Sequence, residues 1–281
     1  MSGKLVICPT PLGNLGDITP RALDALREAN TVCAEDTRVT GKLLAALGVE
    51  GKRLERLDEN VIGDRAAEIV ARVAGGEVIA YCTDAGMPGV SDPGLRLVRV
   101  ARDAGETVEV LPGPTAVATA YVASGTPASA FYFGGFFPRK EKARADMLEQ
   151  LKALDAALVF YESPKRIVAA LEAIAGAFPK RTMTVCRELT KLHEEVVRGP
   201  APQVLADFQS RDSVKGEIVV VIDPPADDET EVSPDEAMAR AVELVSLGER
   251  PKDVAKQLTA EFGISRNEAY DIALEAKNGI R

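Results

Sequence analysis

The sequence predicts an α/β protein with two sheets, the first parallel and the second mixed, followed by a small helical module. Between Leu5 and Leu111, short apolar runs alternate strictly with helical patterns, which indicates βαβ units and a parallel sheet. Beyond Gly113, neighbouring strand patterns occur without a helix between them, so some of those strands must pair antiparallel. After Pro234 only helical spacing recurs. These changes divide the chain into predicted domains at 1–113, 114–223 and 224–281.

Composition excludes several classes of protein. The 281 residues, 46% of them hydrophobic, suffice for about two domains. A formal net charge of −9 argues against a protein whose whole surface binds nucleic acid, so any RNA contact requires a local basic patch. The four cysteines lack metal-ligand spacing and indicate buried thiols of a reducing compartment. The single histidine, His193, argues against a Ser-His-Asp triad and leaves no histidine-rich metal site, and no metal is predicted.

Nothing in the sequence predicts a membrane partner. No apolar run reaches the roughly 18 residues that a spanning helix needs, and Met1–Cys8 is too short for a signal peptide. We therefore expect a cytoplasmic protein.

The first predicted domain contains five strands and the helices that connect them. Thr19 and Pro20 open a helix over Arg21–Ala29, since threonine is a good N-cap and proline suits the first helical turn. The helix after the fourth strand is predicted to have Asp92 as N-cap and Pro93 in its first position. The strands are predicted at Leu5–Cys8, Thr31–Ala34, Arg53–Leu57, Val78–Cys82 and Val108–Leu111.

The second predicted domain contains a basic loop, 138–144, between its first strand and the helix that follows. The strands are predicted at Phe131–Phe136, Ala157–Tyr161, Thr184–Glu188, Glu194–Arg198 and Glu217–Ile222. Pro224–Pro234 is a linker by composition, because it is rich in proline and acid without apolar spacing. Beyond it, Gly263 and Ser265 separate two helices in a helix-turn-helix pattern. Because this module is acidic, we interpret it as a packing or docking module rather than a DNA-binding module.

Three predicted loops follow parallel strands: Thr10–Asn14, Thr83–Pro93 and Leu111–Ala116. Each is rich in glycine and proline, and each leaves backbone N–H and C=O groups free for a ligand. None matches a dinucleotide fingerprint or a P-loop. The loops therefore predict a cleft for a nucleoside-sized ligand, recognised by backbone groups and by the carboxylate of Asp84.

Several motifs together resemble a known family. They are the runs Thr10–Thr19, Ala34–Arg38, Asp84–Gly94, Leu111–Ala116, Phe160–Arg166, Cys186–Lys191 and Lys215–Glu217. Their combination resembles the tetrapyrrole-methylase superfamily and, within it, the bacterial ribosomal RNA small-subunit methyltransferase I family, over essentially the whole chain. The resemblance implies a tetrapyrrole-methylase-like fold with a ligand cleft between two α/β domains, and a homodimer. It also implies methylation of the ribose 2′-hydroxyl of a decoding-region cytidine.

The resemblance further implies that S-adenosylmethionine binds in this cleft. The first-loop and central-loop residues that would hold it are Pro11, Leu12, Asp84, Ala85, Gly86, Met87, Val90 and Ser91. Thr115 and Ala116 would lie beside the ligand at the start of the second domain. The residues on the adenine side would be Tyr161, Glu188, Leu189, Glu217 and Ile218. Of these, Tyr161, Leu189 and Ile218 could equally be ordinary residues of the hydrophobic core with no role in binding.

Methyl transfer from a sulfonium needs no metal and no covalent intermediate. Alignment of the attacking oxygen is then the main contribution, worth roughly 7–11 kcal/mol in well-oriented systems. A protonated ribose hydroxyl is a poor nucleophile, and a general base would assist. The candidate bases are carboxylates at strand ends facing the presumed cleft, namely Glu35, Asp36, Asp58 and Glu59. Each could instead be a solvated or capping carboxylate, and the base is left unassigned.

RNA binding requires cations on this acidic chain. The densest basic run consists of Arg139, Lys140, Lys142 and Arg144. We expect phosphate contacts from this run, together with Lys165 and Arg166; an ordinary charged loop is the equal alternative. Arg38 and Arg187 could steer the phosphate or serve in structural ion pairs. The expected partner is small-subunit ribosomal RNA, either naked or in the assembled small ribosomal subunit.

Two other functions remain open. The same superfamily includes enzymes that methylate carbon atoms of tetrapyrrole precursors, and a non-catalytic RNA-binding module would need no cofactor. The Ala34–Arg38 motif and the helical module favour the RNA methyltransferase.

Overall fold

The computed structural model describes residues 3–225, 234–262 and 264–279. The chain forms two compact units, 1–224 and 225–281. Both sheets lie in the first unit, so the predicted division at residue 113 stays a prediction.

The first sheet is parallel throughout, with the strand order β3-β2-β4-β1-β5. Its strands are β1 (Lys4–Ile7), β2 (Thr31–Ala34), β3 (Arg53–Arg56), β4 (Val78–Cys82) and β5 (Val108–Val110). The helices between them are α1 (Pro20–Glu28), α2 (Thr37–Ala46), α3 (Ile62–Ala74) and α4 (Gly94–Asp103). Because all strands run the same way, the loops that follow β1, β2, β4 and β5 meet at one edge of the sheet.

Local capping sets two of these helix starts. The Thr19 hydroxyl accepts the N–H of Ala22 at 3.1 Å, which confirms the predicted start of α1. The predicted cap of α4 is wrong by one residue, because Pro93 is the N-cap and the helix begins at Gly94. The carboxylate of Asp92 accepts the N–H groups of both Gly89 (2.7 Å) and Gly94 (2.8 Å). Asp92 therefore closes the preceding turn as well as the helix end.

The second sheet is mixed, with the strand order β6-β7-β10-β8-β9. Its strands are β6 (Phe131–Phe136), β7 (Ala157–Glu162), β8 (Thr182–Arg187), β9 (Glu195–Pro200) and β10 (Ile218–Ile222). Its helices are α5 (Ala116–Ser124), α6 (Glu141–Leu151), α7 (Ile167–Ala177) and α8 (Ala201–Gln209). Strands β6 and β7 are parallel, whereas β10 is antiparallel to β7 and β8, and β8 to β9. The predicted α/β class with one parallel and one mixed sheet is confirmed.

The core of the first sheet has two faces, as alternation along buried strands requires. On one face Ile79 and Tyr81 pack among side chains of α3 and α4. On the other, Ala80 and Cys82 pack against Leu26 of α1. The four cysteines are free and buried, as predicted.

An ion-pair network at the amino edge of this sheet contributes to stability. The guanidinium of Arg72 donates to Glu77 at 2.7 Å and to Glu55 at 2.8 Å. The hydrogen bonds that Glu77 accepts from Arg72 hold the pKa of Glu77 at about 2. A carboxyl with a lowered pKa stabilises the fold above its ordinary pKa of 4.5 and loses that contribution as the pH falls toward about 2.

Glu77→Gln is expected to lower the free energy of unfolding at pH 7 by about 1.5–3 kcal/mol, the range for hydrogen bonds to charged groups. In urea titrations, the difference from the wild-type protein should shrink as the pH falls from 4.5 toward about 2. Glu68→Gln is the control, because Glu68 contacts Arg65 through a side chain that is 55% exposed. An equal loss of stability in both variants would contradict this role of Glu77.

The described residues of the second unit form the helices Pro234–Ser246, Pro251–Phe262 and Arg266–Gly279. Their core includes Leu244, Leu258 and Ala273. The Ser265 hydroxyl accepts the N–H of Glu268 at 3.2 Å and caps the last helix. Most of the predicted linker, 226–233, and the predicted separator Gly263 lie outside the described residues.

Within the ranges described above, no helix has the length and apolar character to cross a membrane. The same residues contain no group of three histidine, cysteine, aspartate or glutamate side chains placed to hold a metal ion.

Candidate active site

A cavity of about 330 Å³ lies where the loops of the first sheet meet the second sheet. Its volume falls within the roughly 300–1,000 Å³ typical of small-molecule sites. Loops of the first sheet and the start of α5 supply Leu12, Ala85, Gly86, Met87, Val90, Thr115 and Ala116. The second sheet and its loops supply Phe136, Tyr161, Glu162, Ser163, Pro164, Cys186, Leu189, Gly216, Glu217, Ile218 and Val219. Separate turns therefore form one shared space.

Backbone pairing joins the first and central loops. The N–H of Thr10 donates to the carbonyl of Gly86 at 3.0 Å, and the N–H of Gly86 returns a bond of 3.1 Å. Gly86 has φ of +83°, and a Cβ there would lie 3.0 Å from Cδ2 of Leu12. Glycine thus serves both the left-handed backbone and the close approach of the two loops.

A strained turn holds Leu189 in the cavity wall. Its neighbours Glu188 and Thr190 have φ of 51° and 66°, a region that side chains other than glycine rarely adopt. The Glu188 carboxylate accepts the N–H of Glu217 at 2.9 Å. This bond ties the turn after β8 to the segment that enters β10.

Lys191 connects that turn to the first loop. Its ammonium donates to Glu188 at 2.9 Å and to Glu217 at 3.1 Å. Its aliphatic stem covers Gly13, where a Cβ would lie 2.3 Å from the Lys191 Cγ. One side chain therefore joins the two sides of the cavity rim.

Most of the residues predicted to hold the cofactor lie together. Eleven of fifteen line the cavity: Leu12, Ala85, Gly86, Met87, Val90, Thr115, Ala116, Tyr161, Leu189, Glu217 and Ile218. The other four, Pro11, Asp84, Ser91 and Glu188, adjoin lining residues in the chain without lining the cavity themselves. Their roles toward a ligand stay predictions.

Sequence reasoning missed seven lining residues: Phe136, Glu162, Ser163, Pro164, Cys186, Gly216 and Val219. Glu162 is the last residue of β7, and Ser163 and Pro164 follow it directly, so their position at the end of a strand could have identified them. Cys186 and Val219 could not be found in this way. They are register partners on β8 and β10, and antiparallel register is not visible in strand composition.

Two carboxylates, those of Glu35 and Asp84, follow adjacent parallel strands. The N–H of Asp36 donates to the carboxylate of Asp84 at 3.1 Å, which joins the loop after β2 to the loop after β4. Burial raises the pKa of Glu35, and the charges of Asp84, Asp92 and Asp58 raise it further. Burial is also the main cause that raises the pKa of Asp84. Glu35 therefore has the electrostatics of a proton acceptor.

The other candidate bases differ from Glu35. The Arg38 guanidinium holds the pKa of Asp36 well below its usual range. Hydrogen bonds from Arg56 lower the pKa of Asp58, which also accepts the N–H groups of Asn60 and Val61 at 3.1 and 3.2 Å. Asp36 and Asp58 are thus capping and ion-paired carboxylates. Glu59 is exposed.

The predicted RNA-binding cations fall into two groups. Arg166 binds Glu162 at 2.5 Å, and Arg187 binds Glu195 at 2.8 Å, so both are structural ion-pair partners. Arg38 is paired with Asp36, although its side chain is 86% exposed. The remaining cations make no ion pair within the described part of the chain: Arg139, Lys140, Lys142, Arg144 and Lys165. All of these are exposed except Arg144, which is half-buried.

The fold and the cavity define a protein of the tetrapyrrole-methylase class. The family model for Tetrapyrrole (Corrin/Porphyrin) Methylases matches residues 4–205. The crystal structure of the methyltransferase CobJ superimposes with a TM-score of 0.63 at 22% identity, covering 80% of this chain and 95% of that one. This likeness in structure concerns the fold alone.

Within that class, curated relatives match almost from end to end. Ribosomal RNA small subunit methyltransferase I of Erythrobacter litoralis is 43% identical over 99% of this chain and 96% of its own. The protein of that name from Mycobacterium bovis is 40% identical over 98% of this chain and 96% of its own. The chain belongs to the ribosomal RNA small subunit methyltransferase I family, which confirms the predicted family.

Proposed function

We propose that this chain transfers the methyl group of S-adenosylmethionine to the ribose 2′-hydroxyl of a cytidine in the decoding region of small-subunit ribosomal RNA. The observation that carries the proposal is the cavity formed jointly by loops of the first sheet and strands of the second, in a chain about 40% identical to named ribosomal RNA methyltransferases. The specificity for cytidine and for the 2′-oxygen rests on the family resemblance.

The residues of the cavity fit S-adenosylmethionine. An apolar wall of Leu12, Val90 and Leu189 suits an uncharged ring, and the backbone groups of the glycine-rich loops suit polar edges. Glu162 Oε2 is buried at this site without a hydrogen-bond partner in the described structure, and it offers an acceptor to an amino group. When bound, the cofactor supplies a methyl group on a positively charged sulfur, which a nucleophile attacks in line.

Glu35 is the carboxylate that we assign as the general base. It follows β2 at the edge where the loops meet, and its pKa is raised by burial and by the charge of Asp84, whose neighbour Ala85 lines the cavity. No cation neutralises it in the described structure, in contrast to Asp36 and Asp58. A carboxylate of raised pKa holds a proton from a hydroxyl better than an ion-paired one.

The proposal is tested by incubating the purified chain with radiolabelled S-adenosylmethionine and small ribosomal subunits that lack the modification. We expect label in the ribosomal RNA, located at one cytidine by nuclease mapping and resistant to alkaline cleavage as a 2′-O-methylated site. Label in a porphyrinogen precursor instead would establish the tetrapyrrole alternative. Failure to bind S-adenosylmethionine in calorimetry would leave a non-catalytic RNA-binding module.

We propose that the cations before and within α6, which have no ion-pair partner among the described residues, contact RNA phosphates. Replacing Arg139, Lys140 and Arg144 with alanine should weaken binding of small-subunit RNA and flatten its salt dependence. For each phosphate that the protein no longer neutralises, the slope of log K against log salt should fall by about 0.7–0.9. Arg99→Ala, an exposed change on α4, is the control for loss of surface charge. An unchanged affinity and slope in the triple variant would exclude these three cations from RNA binding.

A cytoplasmic location and a homodimer are further proposals, supported by the family resemblance.

A further inference from the structure

Phe136 is an aromatic side chain exposed at a ligand cavity. It lines the cavity, yet 57% of its surface is open to solvent. Its ring centroid lies 5.5 Å from that of Tyr161 at an interplanar angle of 68°, so the two rings meet edge to face. This contact supports Phe136 on one side, and among the described residues no other aromatic ring packs against it.

The backbone is shaped to place this ring. A β-bulge interrupts the pairing of β6 with β7 between Phe133 and Phe136. Gly135 has φ of +70°, and a Cβ at Gly134 would lie 2.3 Å from the ring of Phe160. Both positions therefore require glycine. Bulges next to active sites redirect a side chain, and this one determines where Phe136 points.

The segment after the bulge is anchored. The N–H of Phe137 donates to the carbonyl of Tyr161 at 3.0 Å, and Arg166 donates to the carbonyl of Phe137 at 3.3 Å. Arg166 is itself held by Glu162, a residue of the cavity wall. These hydrogen bonds hold the backbone next to Phe136 in place, and so they fix the position of its ring beside the cavity.

Cations follow the ring directly in the chain. Arg139 and Lys140 are exposed and lie three and four residues after Phe136, and neither has an ion-pair partner in the described structure. A free aromatic face beside unpaired cations is the combination by which proteins bind single-stranded nucleic acid. The ring stacks on a base while the cations contact the backbone.

We propose that Phe136 is a base-stacking residue, which holds an unstacked RNA base at the cavity mouth and thereby positions the ribose that is methylated. The inference rests on the proposed function and adds the residue that captures the substrate nucleotide. Arg166 is a positioning residue for this ring, acting through the backbone of Phe137.

The test compares Phe136→Ala, Phe136→Leu and Phe136→Trp with the wild-type protein. The alanine variant should raise the KM for small ribosomal subunits, and the Kd for a short oligocytidylate, by roughly 5- to 150-fold, as loss of one stacked base predicts. Tryptophan should restore binding, whereas leucine, apolar but without a π face, should not. Because Phe136 lines the cavity, some loss of S-adenosylmethionine affinity is expected in calorimetry, but it should be much smaller than the loss of RNA affinity. Tyr132→Ala is the matched control, because Tyr132 is an exposed aromatic on the same strand that does not line the cavity.

Three results would overturn the inference: a loss of S-adenosylmethionine affinity as large as the loss of RNA affinity, full activity of the leucine variant, or equal effects of Phe136→Ala and Tyr132→Ala. The oligocytidylate measurement separates this inference from the proposed function, because it requires no methyl transfer. If oligocytidylate binding depends on Phe136 but the wild-type protein methylates no RNA, the proposed function fails and base stacking stands.

Discussion

Ala116→Phe is expected to abolish binding of S-adenosylmethionine while leaving the protein folded. Ala116 is the first residue of α5 and lines the cavity, so a phenyl group at this position would project into a space of about 330 Å³. The ligand and the ring cannot occupy the same volume. We expect the Kd to rise at least about 100-fold, equivalent to about 2.7 kcal/mol.

Calorimetry measures this loss directly, and thermal unfolding gives a second measurement, because a ligand that binds the folded state raises the melting temperature. The wild-type protein should be stabilised by S-adenosylmethionine, and the Ala116→Phe variant should not. Val122→Phe is the control: it adds a phenyl group to the same helix where the side chain is 75% exposed. Normal ligand binding by Ala116→Phe would show that the cofactor binds elsewhere.

Glu35→Gln is expected to lower kcat by about 10²–10⁴-fold, the usual contribution of a general base. The amide has nearly the same size and shape as the carboxylate, so the loop should retain its conformation. Binding of S-adenosylmethionine and of RNA should therefore persist. Single-turnover methylation of small subunits measures the chemical step. Glu59→Gln, an exposed carboxylate after β3, should react like the wild-type protein.

The pH profile distinguishes a base from a merely structural carboxylate. A base acts when it is ionised, so the wild-type rate should rise with pH as Glu35 loses its proton. Because burial raises the pKa of Glu35, this rise should lie above the ordinary carboxyl value of 4.5. In Glu35→Gln the rise should be absent. Its persistence in the variant would assign the titration, and the role of base, to another group.

The sequence predicted strand positions well where local signals are strong. The run Val78–Cys82 is apolar and ends in turn residues, and it forms β4 with the predicted bounds. Asp92 shows the limit of such signals. It is a good capping residue, but the helix begins one residue later than predicted, and the Asp92 carboxylate also accepts the N–H of Gly89 in the preceding turn, a contact that local sequence does not show.

From strand order alone, the candidate site was predictable on one side only, and the predicted residues of the opposite wall followed from the family resemblance. Loops after parallel strands must meet at one sheet edge, so Leu12, Gly86 and Thr115 could be placed together from chain order. The opposite wall depends on antiparallel register and on the bulge before Phe136, which is determined by contact with Phe160 on a neighbouring strand. The partners of Arg166 and Arg187 likewise depend on distances between side chains.

The buried cysteines make the protein suitable for site-specific fluorescent labelling. All four native thiols are buried, and burial raises the pKa of both Cys33 and Cys186 to about 12, so neither forms a reactive thiolate at neutral pH. Leu192, 93% exposed, lies three residues beyond Leu189 of the cavity wall. A maleimide dye attached to Leu192→Cys would therefore lie near the cavity, and its fluorescence could be used to follow ligand binding. No native cysteine would have to be removed.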